Sequence, residues 1–202
     1  MNNYDYRVNL VDDYLKKLNL SNKIKEYYYG RNILVTGGAG AIGSNLVTAL
    51  SKLVGDDGMI IVLDNLSAIK GDEPIDLPPL PNMMFVNGDV RNDIDLKRVF
   101  REKPTIVYHL AAFFANQNSV DYPETSADVD IHGMIKLLDL AQFTGVDKLV
   151  YASSGCAIYG SYGKMPLKED FISMHLTTPY QINKMAGEMY SNFYFHHYGL
   201  KT

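Results

Sequence analysis

The chain has 202 residues, 47% of them hydrophobic and 21% charged, with a formal net charge of −4. That length buries one substantial core with room for an appendage, and the composition lacks the low hydrophobicity of a disordered chain. A mild negative charge without any Lys/Arg-rich run excludes nucleic acid and anionic membrane as expected partners, so a bound phosphate must be held by local geometry.

Residues 1–30 read as a helical extension, with Val8, Val11, Tyr14, Leu15 and Leu18 at roughly helical spacing. The sequence allows two uses for it, a contact with a partner or packing on its own domain. From Arg31 the pattern changes. The apolar run 32–36 is followed by a glycine turn, a helix over about 41–53, and a second apolar run over 59–64. Short apolar runs return at 83–86, 105–109 and 148–152, separated by helical segments near 93–101 and 128–143. Near-continuous apolar strands alternating with helices predict a doubly wound α/β domain with a parallel sheet, over residues 31–202. Pro74, Pro78, Pro79 and Pro81 exclude a regular helix between the second and third strands.

The turn TGGAGAIGS follows the first strand directly and opens a helix, with Gly37, Gly40 and Gly43 three residues apart. Such spacing gives a tight reversal, backbone approach to a pyrophosphate and close helix-sheet packing, with the anion on the helix N-terminus. Asp64 ends the next strand 21 positions after Gly43. A carboxylate there accepts hydrogen bonds from an adenosine ribose and repels a ribose phosphate. No arginine follows it, so the expected cofactor is NAD rather than NADP.

Tyr180 and Lys184 are separated by four positions on a helical segment that runs to about His197, and so share one face. A phenol ionises near pH ~10 and becomes a useful base only when a cation lowers its pKa. Lys184 is suited to supply that charge. The run Val150-Tyr151-Ala152-Ser153-Ser154 brings a hydroxyl to the end of a core strand, where it can orient a substrate alcohol.

With TGGAGAIGS, VLDNLS, GDVRN, HLAA, SVDYP, YASSGCAIYG and PYQINK in this order over residues 31–202, the chain resembles the extended short-chain dehydrogenases/reductases. Within them it is most similar to the NAD-dependent nucleotide-sugar epimerase/dehydratase family, the UDP-galactose 4-epimerase-like enzymes. The resemblance implies a Rossmann domain in which Gly37, Gly40, Ala41, Ile42 and Gly43 bind the pyrophosphate. It implies that Asp64 and Asn65 meet the adenosine ribose, that Asp89 and Val90 flank the adenine, and that Leu110, Ala111 and Ala112 line the cofactor. Ser154, Tyr180 and Lys184 take the catalytic roles, the last two also touching NAD. A carboxy-terminal substrate lobe, which the chain up to Thr202 does not contain, belongs to the same pattern. An NAD-binding module inactive without that lobe is therefore a second reading.

The family pattern is not matched everywhere. The stretch from Ser154 to Tyr159 is one residue longer, so an alignment from the right would put Gly155 at the serine position; Ser154 is preferred because glycine has no hydroxyl. Asp130 stands where asparagine is usual, and Phe114 where some epimerases have a lysine. Related dehydratases carry an Asp-Glu pair after the catalytic hydroxyl, where this chain has Gly155-Cys156. That leaves 4-epimerisation, placed first, or 4-dehydrogenation of a nucleotide sugar. Cys156 reads as a small buried hydrophobe and His109 as structural, and His132, His196 and His197 lack the partners of a metal site, so no metal is expected. One cysteine excludes an internal disulfide, and the amino terminus shows no apolar leader. A cytoplasmic location, a nucleotide-sugar partner and a homodimer complete the expectations.

Overall fold

The structure, a computed structural model, describes residues 3–68, 75, 77–155, 166–168 and 171–202. Its centre is a five-stranded parallel sheet made of β1 (Asn32–Thr36), β2 (Met59–Asp64), β3 (Met83–Asn87), β4 (Ile106–His109) and β5 (Lys148–Tyr151). Their spatial order is β3-β2-β1-β4-β5. In register, Val35 of β1 lies between Val62 of β2 and Tyr108 of β4. The chain winds one way from β1 and then crosses back to β4, so the order reverses between β1 and β4. In open α/β sheets the crevice at the carboxyl ends of the strands, at that reversal, is where ligands bind.

Period-two alternation sends successive strand side chains to opposite faces. Ile33, Val35, Ile60, Val62 and Ile106 pack on one face with Val47, Leu50 and Val54 of α3 (Ala41–Val54). Leu34, Ile61, Leu63, Val107 and Leu149 pack on the other. They meet Leu96 and Val99 of α4 (Asp93–Phe100) and Met134, Leu137 and Leu138 of α7 (Gly133–Thr144). Both faces are covered, as the apolar strands predict, and truncating a residue such as Leu34 to alanine should cost about 2–5 kcal/mol.

Local chemistry sets the helix ends. Asn92 caps α4 by accepting from the amides of Ile94 and Asp95. Helix α8 (Pro179–Tyr198) opens with Pro179 and a capping box between Thr178 and Gln181, and stops at Gly199 in the left-handed region.

Two elements differ from the sequence reading. The extension is two helices, α1 (Asn3–Leu18) and α2 (Asn22–Tyr28), divided at Asn19, whose φ is 44°. Both pack on α3: Arg7 donates to Ser44 Oγ at 2.8 Å, and Lys52 pairs with Asp12 at 3.4 Å. The segment expected as one helix over 128–143 is preceded by α5 (Asn116–Asp121) and α6 (Pro123–Ala127), and it begins with a π-helical turn, Asp128–His132, before α7. The described residues between Asn65 and Asn82 form neither helix nor strand, including Pro78, Pro79 and Pro81. Pro74 lies outside the described residues, as do Cys156 and Tyr159. Among the described residues no helix is long and apolar enough to cross a membrane.

Candidate functional site

The glycine turn is shaped by contacts that side chains would block. Gly37 has φ +71°, and a Cβ there would come within 2.6 Å of the Ala111 backbone nitrogen. A Cβ on Gly43 would overlap the Gly37 carbonyl oxygen, so glycine is what lets α3 start against the turn. Gly40 is different: its Cβ would meet only Gly37 O, at 3.4 Å, so nothing in the protein itself demands glycine. The face it leaves bare opens on a cleft of about 230 Å³.

That cleft is lined by Gly37, Gly40, Asp64, Asn65, Asp89, Val90, Leu110, Ala111 and Ala112, together with Arg91, Phe113 and others. Nine residues predicted as cofactor-binding therefore meet in one crevice at the strand ends. Ala41, Ile42 and Gly43 do not line it with side chains, and Ile42 is 75% exposed. Their contribution is backbone, because the first N–H groups of a helix have no intrahelical acceptor. A dinucleotide fits this arrangement: an apolar slot, a bare glycine edge, unclaimed amides and a carboxylate at the end of β2.

The carboxylate is fixed in place. Asp64 Oδ2 accepts from Ala39 N at 2.9 Å and Oδ1 from Leu66 N at 2.8 Å, which ties the glycine turn to the end of β2. Beside it, Asn65 Nδ2 donates to Asp89 Oδ2 at 2.9 Å, and Arg91 grips the same carboxylate through Nε at 3.0 Å and Nη2 at 2.8 Å. The hydrogen-bonding Arg91 guanidinium pulls the Asp89 carboxyl down to about 2. Here the sequence reading needs a correction. It had no basic residue near Asp64, yet Arg91 lines the same cleft; its charge is taken up by Asp89 and Asp128.

Tyr180, Lys184 and Ser154 sit at the next strand ends, β4 and β5. Lys184 is 3% exposed, and its Nζ donates to Ala152 O at 2.8 Å, two residues before Ser154. The same Nζ lies 4.8 Å from the Tyr151 ring centroid and 5.8 Å from that of Tyr180. Tyr180 is held by its backbone N–H, which donates to Ser119 Oγ at 3.0 Å, and by Phe114, whose ring meets it edge-on at 6.2 Å. Ser154 is half-buried. Burial pushes the Lys184 ammonium down from its usual range, and Asp130 opposes that shift.

His109 was expected to be structural, whereas several other residues of this region escaped the sequence reading. His109 ends β4, its Nδ1 2.6 Å from Thr36 Oγ1, and burial pushes its imidazole down to about 3, so it is neutral at physiological pH. Its ring stacks on Tyr151 at 5.8 Å, and His109 Nε2 and Tyr151 OH have no hydrogen-bond partner among the described residues. Gly187 of α8 makes room for that phenol. Ser119, Ser126 and Asn183 are buried polar residues that join α5, α6 and α8. Single buried serines in short helices carry no sequence pattern; Arg91 did carry one, since it directly follows Asp89-Val90. Among the described residues no three His, Cys, Asp or Glu side chains gather as metal ligands.

Comparison with known proteins identifies the family. The model of the NAD dependent epimerase/dehydratase family matches residues 33–202. A UDP-glucose 4-epimerase of Mycolicibacterium smegmatis is 37% identical over 168 residues, 83% of this chain and 52% of the relative. The structure of an epimerase from Methanothermobacter thermautotrophicus superposes with a TM-score of 0.82 at 46% identity, covering 88% of this chain and 51% of that one. UDP-glucose 4-epimerase from Thermus thermophilus, solved with NAD, gives 0.69 at 37% identity, covering 84% of this chain and 52% of that one. The chain thus spans about half the length of the relatives it matches, and α1 and α2 precede the matched residues.

Proposed function

The chain belongs to the NAD-dependent epimerase/dehydratase family, and we propose on that premise that it carries the cofactor site and proton-transfer centre of a nucleotide-sugar 4-epimerase. Gly37, Asp64, Asp89 and Ala111 line the cleft that would hold NAD; the amides that open α3 would take its pyrophosphate and Asp64 its adenosine ribose. When bound, NAD supplies a reversible hydride acceptor beside the sugar.

The chain's own residues handle the proton. Tyr180 takes it from the sugar hydroxyl at position 4 and returns it when the opposite face is reduced. A phenol does this near neutrality only beside a cation, and Lys184 is that cation. Ser154, beyond the end of β5, orients the alcohol towards the phenol. The observation that carries the reading is Lys184. It is a buried lysine bonded to the Ala152 carbonyl, two residues before Ser154, with its ammonium over the rings of Tyr151 and Tyr180.

The test is an assay of the protein as its gene encodes it against UDP-, GDP- and dTDP-hexoses, following epimer formation and NADH absorbance together. Epimer without net NADH is the expected result. Stoichiometric NADH release would make the protein a 4-dehydrogenase instead.

A further inference from the structure

Among the described residues, one carboxylate and one ammonium are nearly excluded from water: Asp130, 2% exposed, and Lys184, 3% exposed. Alone, a buried ion is expelled or neutralised. The two come from different elements, Asp130 from the π-helical turn Asp128–His132 and Lys184 from α8. The wider turn is the kind of irregularity that helices keep at functional sites.

Asp130 is tied on both oxygens. Oδ1 accepts from Phe113 N at 2.7 Å, on the loop that continues from Ala111 and Ala112, and Oδ2 accepts from Ser126 Oγ at 3.3 Å. Ser126 Oγ in turn accepts from Asn183 Nδ2 at 2.9 Å, and Asn183 immediately precedes Lys184. The carboxylate is therefore braced between the cofactor loop and the helix that carries the lysine. Lys184 itself donates to a neutral carbonyl, Ala152 O.

The other groups facing this pair bring no compensating negative charge to the lysine. His109 from β4 is neutral, and the Tyr151 phenol from β5 is pushed further up by burial and by Asp130. Glu188, one turn along α8, acts on Tyr151. Burial drives the Asp130 carboxyl up and the Lys184 ammonium down, and each relieves the other.

We propose that Asp130 is the counter-ion that keeps Lys184 charged, and so a positioning residue for proton transfer at Tyr180. This rests on the roles given to Tyr180 and Lys184 above. Asparagine, the residue the family pattern expects here, could accept from Phe113 N but could not supply the charge.

The test is the protonation midpoint of Lys184, read by NMR from its Cε resonance in ¹³C-lysine-labelled protein and assigned with Lys184→Arg. Asp130→Asn should lower that midpoint by about one pH unit or more; an unchanged midpoint overturns the proposal. In the active protein the alkaline limb of kcat should move to lower pH by the same amount, because the ammonium is lost earlier. A shifted midpoint with an unmoved limb would remove the positioning role. Should Asp130→Asn fail to fold, Asp130→Asn/Lys184→Met decides. Removing the second charge should restore folding, and continued failure contradicts the pairing. The NMR result does not depend on turnover. If Tyr180→Phe stays active, the functional reading falls while the midpoint shift still reports the electrostatic coupling of Asp130 to Lys184, which act on each other without a direct salt bridge.

Discussion

The glycine turn at the edge of the cofactor cleft is shaped by backbone contacts, whereas the ground around Lys184 is built of buried polar side chains. In the cleft, Gly37, Gly40 and Gly43 set the shape, and one carboxylate, Asp64, pins the turn to β2 through the amides of Ala39 and Leu66. Around Lys184, by contrast, Asp130, Ser126, Asn183 and Ser119 sit buried on four separate elements: the first three are hydrogen-bonded in series, and Ser119 holds the Tyr180 amide. A shape made of backbone tolerates no added atoms but few of its side chains matter. A polar network tolerates isosteric change in shape but not loss of a charge or a donor. The two regions should therefore fail in different ways when altered.

The largest effect is expected in the polar region. Tyr180→Phe keeps the ring that packs on Phe114 and removes only the proton carrier, so turnover should fall by about 10²-fold or more. NAD affinity, measured by calorimetry, should stay near that of the wild type. Near-normal turnover would break the assignment of the proton path.

In the cleft, Gly43→Ala should act on structure. Its methyl group would overlap the Gly37 carbonyl oxygen, and overpacking of this kind costs about 1–3 kcal/mol. The expected outcome is a lower thermal midpoint together with loss of NAD binding, read by thermal melts with and without cofactor. A variant with unchanged stability and affinity would show that α3 can shift away from the turn.

This division also explains what was legible in the sequence. The strands, the glycine turn and Asp64 could be read because each depends on neighbours a few positions away. Nine of the predicted cofactor residues do line one cleft. The segment before α7 could not be read in the same way. Its apolar spacing suggested a plain helix, but the π-helical turn at Asp128–His132 is set by what Asp130 must reach, the Phe113 amide and Ser126. Those partners lie on other elements. Arg91 shows an intermediate case. It is adjacent to Asp89 in sequence, yet its place in the Asp64 cleft follows from the pairing of β2 with β3. In the extension, helical spacing was visible, whereas the break at Asn19 was not.

A third, smaller effect concerns Asp64. Loss of one carboxylate acceptor for the ribose should weaken NAD by about tenfold in Asp64→Ala, or ~1.4 kcal/mol. The preference over NADP should shrink with it. Competition binding of both cofactors to the wild type and the variant checks this, and equal wild-type affinities for NAD and NADP would contradict the role of Asp64.

The smallest effect belongs to Arg91, whose pair with Asp89 is partly open to solvent at 38% and 21% side-chain exposure. Asp89 is held at about 2 against an ordinary 3.8, so its contribution to stability is present above pH 4 and is lost as pH falls towards 2. Arg91→Ala should return the carboxyl towards its ordinary range and cost less than about 1 kcal/mol at neutral pH. Carboxyl NMR titration of both forms measures the shift. A midpoint for Asp89 that stays put would show that Arg91 does not control it.

The central claim is that a hydride leaves and returns at position 4 of a nucleotide sugar while Tyr180 carries the proton. Its most direct test uses UDP-glucose deuterated at C4, incubated with the protein as its gene encodes it in ordinary water. The account predicts UDP-galactose with the deuterium still on C4, formed about 10²-fold or more slowly by Tyr180→Phe. Epimer that has exchanged its label with solvent would contradict it.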